Sequence, residues 1–297
     1  MTSLAMQRRR ATARRVLTQF RNSKPGVIGF AVLLVFVIVA LTAPLLADVR
    51  ELNPVFARAQ GNPQWAAPGT YGVLGTDHLR RSVWVQFVWG SRVSLFVGLA
   101  ATVLTISIGS VVGIISGFVG GRIDSILMRI TEWFLVIPFL PLAIVLASIL
   151  GRNVWNIILV IGVTSWPSTA RLLRAQVLTV KQRLFVDRSR SLGAGNAHLV
   201  ARHILPNVSG LILANATLAV PISILTETTL SFLGLGDPSS ASWGKTLEEA
   251  FVNGAMVRNA WWYFLPAGVG ILAVVLAFTL IGRTLEEIAD PRLGQAR

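Results

Sequence analysis

Six long runs of apolar residues alternate with short polar stretches along this chain. They lie near residues 27–46, 93–119, 130–150, 154–172, 208–232 and 262–281. A helix of about 20 residues, rising about 1.5 Å per residue, crosses the ~30 Å hydrocarbon core of a bilayer. Each run is therefore long enough to span a membrane. The pattern predicts an all-α membrane protein with six transmembrane helices, the third and fourth joined by a tight hairpin at Gly151-Arg152-Asn153.

The composition agrees with this pattern. Of 297 residues, 53% are hydrophobic and only 13% are charged, whereas soluble domains average about 25% charged residues. Much of the surface is therefore expected to lie in lipid. The chain has no cysteine, which excludes a disulfide framework, a thiolate metal site and a cysteine nucleophile.

The net charge of +14 is distributed unevenly. If the N-terminus is cytoplasmic, the six spans place 19 Lys and Arg residues inside and 8 outside. This is the positive-inside pattern, so both termini are predicted to be cytoplasmic. The basic N-terminus, with Arg8-Arg9-Arg10 and Arg14-Arg15, is interpreted as an anchor on anionic lipid, and no nucleic-acid binding is expected. The first run exceeds the 7–15 apolar residues of a cleaved signal peptide, which favours a retained span.

These boundaries divide the chain into five parts. They are a basic cytoplasmic N-terminus (1–24), a first transmembrane helix (25–47), an external segment (48–90), a transmembrane domain of five spans (91–283) and a cytoplasmic tail (284–297).

A polar, basic stretch between the fourth and fifth spans, residues 185–207, is the most informative part of the sequence. It is predicted to form two short helices separated at Gly193-Ala194-Gly195, with Asn196 as an N-cap and Leu205-Pro206 as a stop. A polar element of defined shape between spans is typical of a docking surface. The alternative is an ordinary basic loop held at the lipid surface.

Small and kinking residues recur inside the spans. Four glycines spaced four apart place a flat face on the second span, where a neighbouring backbone can approach closely: Gly109, Gly113, Gly117 and Gly121. Four prolines predict kinks that shape the bundle: Pro138, Pro141, Pro167 and Pro221.

Two carboxylates fall within the spans, where an ionisable group is a functional candidate. Glu132 lies one turn from Arg129, which could neutralise it. Glu227 either faces a water-filled path or extends to the membrane surface, and the sequence leaves both roles open. The candidates for the translocation path are Glu227, Thr228 and Ser231.

Other chemistries find little support. The three histidines, His78, His198 and His203, lie outside the spans. The sequence therefore lacks the chain of acids and histidines within the spans that a proton-coupled carrier would need. No catalytic group or metal-ligand cluster of a membrane-embedded enzyme is evident, and no catalytic residue, metal or cofactor is predicted. Gly244-Lys245-Thr246 lacks the first glycine of a phosphate-binding loop, since position 239 is serine, so no ATPase site is expected.

The spacing within the polar loop resembles the cytoplasmic "EAA" loop of ATP-binding-cassette importers, which contacts the ATPase subunit. Asp187-Arg188-Ser189 stands in place of Glu-Ala-Ala, and Gly193 and Leu205-Pro206 follow at the expected distances. His203 occupies the usual isoleucine position. Arg188, Ser189 and His203 depart from the motif and suggest a surface matched to one partner.

Further stretches resemble, in the same order, the dipeptide/oligopeptide/nickel permeases, and specifically the subunit type with an extra N-terminal span. They are Leu74-Gly75-Thr76-Asp77 and residues 120–124, 170–178, 227–236, 242–244 and 290–293. One departure is Leu79-Arg80-Arg81-Ser82, where Leu-Gly-Arg-Asp is usual.

This resemblance implies a type I importer transmembrane domain in a prokaryotic cell membrane. It implies a heterodimer with a second permease, two cytoplasmic ATPase subunits and an external substrate-binding protein. The coupling loop would cover about residues 179–207. The residues implied to contact the ATPase are Asp187, Arg188, Ser189, Leu192, Gly193, Ala194, His203, Leu205 and Pro206. The cargo, whether dipeptide, oligopeptide, nickel chelate or haem, stays open.

Overall fold

The computed structural model describes residues 17–289, which are mainly helical. After a helical stretch at residues 17–22, the α-helices are α1 Lys24–Leu41, α2 Ala43–Leu46, α3 Pro54–Ala59, α4 Val83–Val119, α5 Gly121–Val136, α6 Phe139–Leu150, α7 Val154–Lys181, α8 Leu184–Ser191, α9 Asn196–Leu199, α10 Leu205–Phe232, α11 Trp243–Val252 and α12 Trp261–Ala289. Val49–Leu52 forms a 3₁₀ turn and Val200–Ile204 a π turn. The N-terminal arginine cluster and residues 290–293 lie outside the described residues.

Four helices of the described part are long and apolar enough to cross a membrane: α1, α4, the continuous helix Asn196–Phe232 formed by α9, the π turn and α10, and α12. α5 and α6 pass the same test only as a pair and are bent by 92°. The span predicted near 130–150 is therefore two helices, and the break lies at Pro138, where a kink is predicted. Ile137 has extended backbone angles, because the ring of Pro138 disfavours a helical residue before it and supplies no N–H to the helix.

Two helices do not share the bounds of the predicted segments. α4 begins at Val83, within the predicted external segment 48–90, and runs for 37 residues. The Ser82 side chain accepts the N–H of Val85 and starts the helix there. At about 1.5 Å per residue the helix is about 55 Å long, which exceeds a ~30 Å hydrocarbon core. The first span ends at Leu41, and a bend at Thr42 separates it from α2.

The most extensive packing in the bundle is that of α4 against α7. The glycines spaced four apart on α4 permit this close packing. A Cβ atom on Gly109, Gly113 or Gly117 would lie within 2.6 to 2.9 Å of α7 atoms, including the carbonyl oxygen of Ala170. The predicted close approach is confirmed for these three residues. It is wrong for Gly121, which has φ +58 and no neighbour within 4 Å, since the helix has already ended at Val119.

The N-terminal helix is attached to the last one. A Cβ on Gly29 would lie 2.7 Å from the carbonyl oxygen of Ala277, and one on Gly26 would lie 2.9 Å from the side chain of Thr284. α1 and α12 therefore meet at backbone distance. α12 also packs on α10, which in turn packs on α4, so α1 extends the bundle at its edge.

The segment before α4 is fastened to α11 by an ion cluster. Arg81 Nε donates to Asp77 Oδ2 at 2.7 Å, and Arg81 Nη2 donates to Glu249. Burial would lower the pKa of the Arg81 guanidinium, but the two carboxylates raise it above its usual value. Arg80, which stands where the resembled motif has glycine, adopts φ +70.

Candidate coupling site

The polar loop, defined as residues 179–207, is a folded element connecting α7 to α10. α8 and α9 are separated by a turn in which Gly193 has φ +85. The predicted break at Gly193-Ala194-Gly195 is confirmed. A Cβ on Gly193 would meet nothing within 4 Å, so glycine is favoured here by backbone conformation and not by space.

Two details predicted for the loop are wrong. Asn196 is the first residue of α9, and Gly195 takes the N-cap position without a side-chain bond. Leu205-Pro206 does not end the helix, because the chain continues through the π turn into α10. Pro206 lies in the first turn of α10, beside a turn that has already left the regular hydrogen-bond ladder, so its missing N–H is tolerated.

The inner face of the loop is buried against the helices that carry it. Val186, Leu199 and Ile204 are fully buried, in one cluster with Val177 and Val180 of α7. The same cluster includes the ends of α4 and α10. The loop is therefore held by apolar packing on three helices.

A polar contact joins the two halves of the loop. Ser189 Oγ and His203 Nε2 are 3.1 Å apart, and the ring of Phe185 lies 5.8 Å from that of His203. The two departures from the motif thus contact each other. The sequence analysis missed this internal pair and assigned both residues to a partner surface. The signal that could have indicated it is that a hydroxyl and an imidazole, which can hydrogen-bond, both replace usual motif residues.

The outer face of the loop contains the other predicted coupling residues. Leu192 is 88% exposed. Five more predicted residues are exposed: Asp187, Arg188, Gly193, Leu205 and Pro206. Ala194 is half-buried in the apolar cluster. The exposed face thus combines an apolar tip with charges of both signs, which is typical of a surface that meets another protein.

A second polar clamp lies next to the loop. Arg174 of α7 donates through Nε and Nη2 to the two oxygens of Asp124 at 2.6 and 2.7 Å. Ser116 donates to the same carboxylate. Lys181 Nζ donates to the carbonyl of Phe118 at 2.6 Å. These contacts fix the turn between α4 and α5 to the end of α7 from which the loop starts.

The candidates for the translocation path lie elsewhere. Glu227 is 1% exposed; its carboxylate accepts from Ser231 at 2.8 Å and from Ser94 at 3.5 Å. Ser231 is buried and Thr228 half-buried. The carboxylate of Glu227 is therefore enclosed within this chain, and its place on the translocation path stays a prediction. Glu132 is exposed, and Arg129 Nη1 lies 3.2 Å from its Oε2 as predicted.

Comparison with known proteins decides the family. Residues 109–295 match the family described as the binding-protein-dependent transport system inner membrane component. The chain belongs to this family. Residues 12–61 match the N-terminal transmembrane domain of oligopeptide transport permease C, and this match includes α1.

Curated relatives of this inner membrane component cover nearly the whole chain. It is 36% identical over 281 residues to the oligopeptide transport system permease protein OppC of Bacillus subtilis, covering 93% of this chain and 88% of the relative. Two proteins of Brucella suis, provisionally named as peptide permeases, are 36% and 34% identical over 279 and 283 residues, covering 94% and 95% of this chain and 90% and 91% of each relative. The chain is thus a multi-pass permease of an ATP-binding-cassette importer with an extra N-terminal helix.

Proposed function

We propose that this chain is a transmembrane subunit of an ATP-driven importer of peptides or similar small solutes. The peptide class is supported by the names of the relatives in Bacillus subtilis and Brucella suis. The proposal includes six spans and both termini in the cytoplasm, with α5 and α6 forming one broken span. α7 supplies the sixth, although its second half carries Arg171, Arg174 and Lys181.

The proposed complex contains a second, related permease subunit, two cytoplasmic ATPase subunits and an external substrate-binding protein. The proposal keeps the domain division predicted from the sequence, with α4 beginning at Val83 inside the external segment. This chain supplies half of the membrane path and one coupling surface, and the ATPase subunits supply the hydrolysis.

The coupling role is supported by the polar loop having one face buried against the membrane helices and one face exposed. Its inner face is packed on the ends of α4, α7 and α10, and its outer face leaves Leu192 and Arg188 accessible. We infer that the outer face seats in a cleft of one ATPase subunit. Closure of the ATPases on ATP would then push the loop as a rigid body and tilt α7 and α10 together.

The proposal is tested by distorting the turn of the polar loop at Gly193. Gly193→Val places a branched side chain at φ +85, which costs on the order of 1–2 kcal/mol and distorts the turn. In the complete importer reconstituted in proteoliposomes, ATP hydrolysis should continue while peptide uptake falls at least tenfold. Gly195→Ala is the matched control, because Gly195 has φ −71 and free space around it.

Normal uptake by Gly193→Val would refute the coupling role of the loop. Absence of peptide uptake by the wild-type complex, with ATPase subunits bound, would refute the peptide class while leaving the coupling role open to a different cargo.

A further inference from the structure

A cavity of about 330 Å³ lies where α5 and α6 bend apart, between the broken pair, α7 and α10. Its wall includes Pro138 at the bend and Pro167 in the middle of α7. The volume falls within the range of small-molecule sites. The two prolines thus keep the helices apart at this depth of the bundle.

The side chains that line this cavity are apolar or neutral and polar. The polar ones include Thr105, Ser165, Ser168, Thr169, Asn215 and Ser223. None of the described residues around it carries a charge. The cavity can therefore donate and accept hydrogen bonds without preferring either sign of charge.

Two hydroxyls of the lining have no partner. Thr105 is 2% exposed, yet its Oγ1 makes no hydrogen bond, and neither does the buried Oγ of Ser165. Asn215 Nδ2 donates to Thr169 Oγ1 at 2.9 Å, which positions the amide between α7 and α10. The Thr105 and Ser165 oxygens are closed off from solvent as well as from other polar groups. The polar wall groups that a molecule in the cavity can reach are therefore the exposed Ser168 and the half-buried Asn215.

The other buried or enclosed regions do not offer this chemistry. The larger cavity, about 580 Å³, is lined by hydrocarbon and aromatic side chains of α1 and α4 apart from Arg92. The polar cluster around Glu227 is closed by Ser94, Ser231 and Trp243, whose N–H donates to Ser94 at 3.1 Å. Of these three regions of the described part, the cavity at the α5–α6 bend is the one whose polar lining is wholly neutral.

We propose that this cavity is the part of the translocation path that this chain contributes, and that it holds the backbone of an extended peptide. This inference rests on the proposed function. Every residue of a peptide presents one N–H and one C=O, whatever its side chain. Hydroxyl and amide groups can bind these atoms, whereas a charged lining residue would favour one class of side chain. The path assignment thus moves from Glu227 to the surroundings of Asn215.

The test converts the neutral lining into a charged one. The complete importer is reconstituted, and uptake of Ala-Asp-Ala and Ala-Lys-Ala is measured for wild type and Asn215→Asp. For each variant, the ratio of Ala-Asp-Ala uptake to Ala-Lys-Ala uptake is divided by the same ratio for the wild type, which cancels the preference of the binding protein. In the wild type Asn215 donates to Thr169; in the variant the Thr169 hydroxyl donates to the aspartate instead, so a contact between the two helices persists. The ratio of acidic to basic peptide uptake should fall about tenfold.

Three further variants complete the design. Ser168→Asp repeats the test on an exposed wall residue, in case Asn215→Asp fails to assemble. Ser168→Lys should shift the ratio in the opposite direction. Gln19→Glu adds the same charge on an exposed residue outside the cavity, and its ratio should equal that of the wild type.

An unchanged ratio in the assembled aspartate variants, or an equal loss of both peptides, would overturn the path assignment while leaving the proposed function standing. If the wild-type importer takes up neither peptide, the proposed peptide function and this inference fall together.

Discussion

Removing the clamp between Asp124 and Arg174 should weaken the bundle measurably. The guanidinium makes two parallel bonds of 2.6 and 2.7 Å to the carboxylate. Charge-assisted bonds of this geometry contribute about 1.5–3 kcal/mol when shielded. The Arg174 side chain is 33% exposed and that of Asp124 is 18% exposed, so solvent screening reduces the value. We expect a coupling energy of about 1–2 kcal/mol.

The assay is a double-mutant cycle of Arg174→Gln, Asp124→Asn and both together. Unfolding of the purified chain in SDS and mild detergent is followed by tryptophan fluorescence. The cycle isolates the pair from the separate effects of each substitution. Arg174→Lys should lose part of the energy, because an ammonium keeps the charge but cannot make the two-pronged contact.

The exposed pair Arg129 and Glu132 is the matched control. Its side chains are 70% and 57% exposed and 3.2 Å apart, so the same cycle should give no more than about 0.5 kcal/mol. Equal coupling energies for the two pairs would refute the reasoning that burial and two-pronged geometry make the Asp124 clamp strong.

Four other substitutions test packing and backbone conformation with the same unfolding assay. Gly113→Ala should destabilise the chain by about 1–3 kcal/mol, because the new Cβ would lie 2.6 Å from the carbonyl oxygen of Ala170. The control is Gly268→Ala on α12, where a Cβ has open space. It should leave the stability unchanged or raise it by up to about 1 kcal/mol. Equal effects would contradict the close α4–α7 packing. Arg80→Gly should stay within about 0.5 kcal/mol of wild type, whereas Arg80→Val should lose about 2 kcal/mol, since φ +70 suits glycine and excludes a branched residue. A loss as large for glycine would show that the bond from Arg80 to Asn62 dominates.

Much of the fold follows from local patterns in the sequence. Apolar runs predicted the long helices, and the spacing of Gly109, Gly113 and Gly117 predicted where two of them meet. The turn at Gly193 also followed from local composition, because a left-handed turn between short helices has few alternatives to glycine. In each case the determining interaction lies within one helix or one turn.

The remaining features depend on contacts between distant parts of the chain. Glu227 accepts a hydrogen bond from Ser94, which is 133 residues away in the chain. The hydrophobic pattern of neither segment indicates that contact. The pairing of Ser189 with His203 needs the fold of the whole loop. The angle at Pro138 could not be predicted either. A proline indicates that the helix is disrupted, but it does not determine whether the helix kinks slightly or turns by 92°.

The π turn at Val200–Ile204 makes the rotational setting of α10 depend on the loop. A π turn holds one more residue than an α turn, so winding the same sequence into a regular α-helix would rotate everything after it by about 100° and lengthen it by about 1.5 Å. Asn215 and Ser223 would then leave the cavity together. Pressure on the loop could thus act on the path as torque about the axis of α10, separately from any tilt of the bundle.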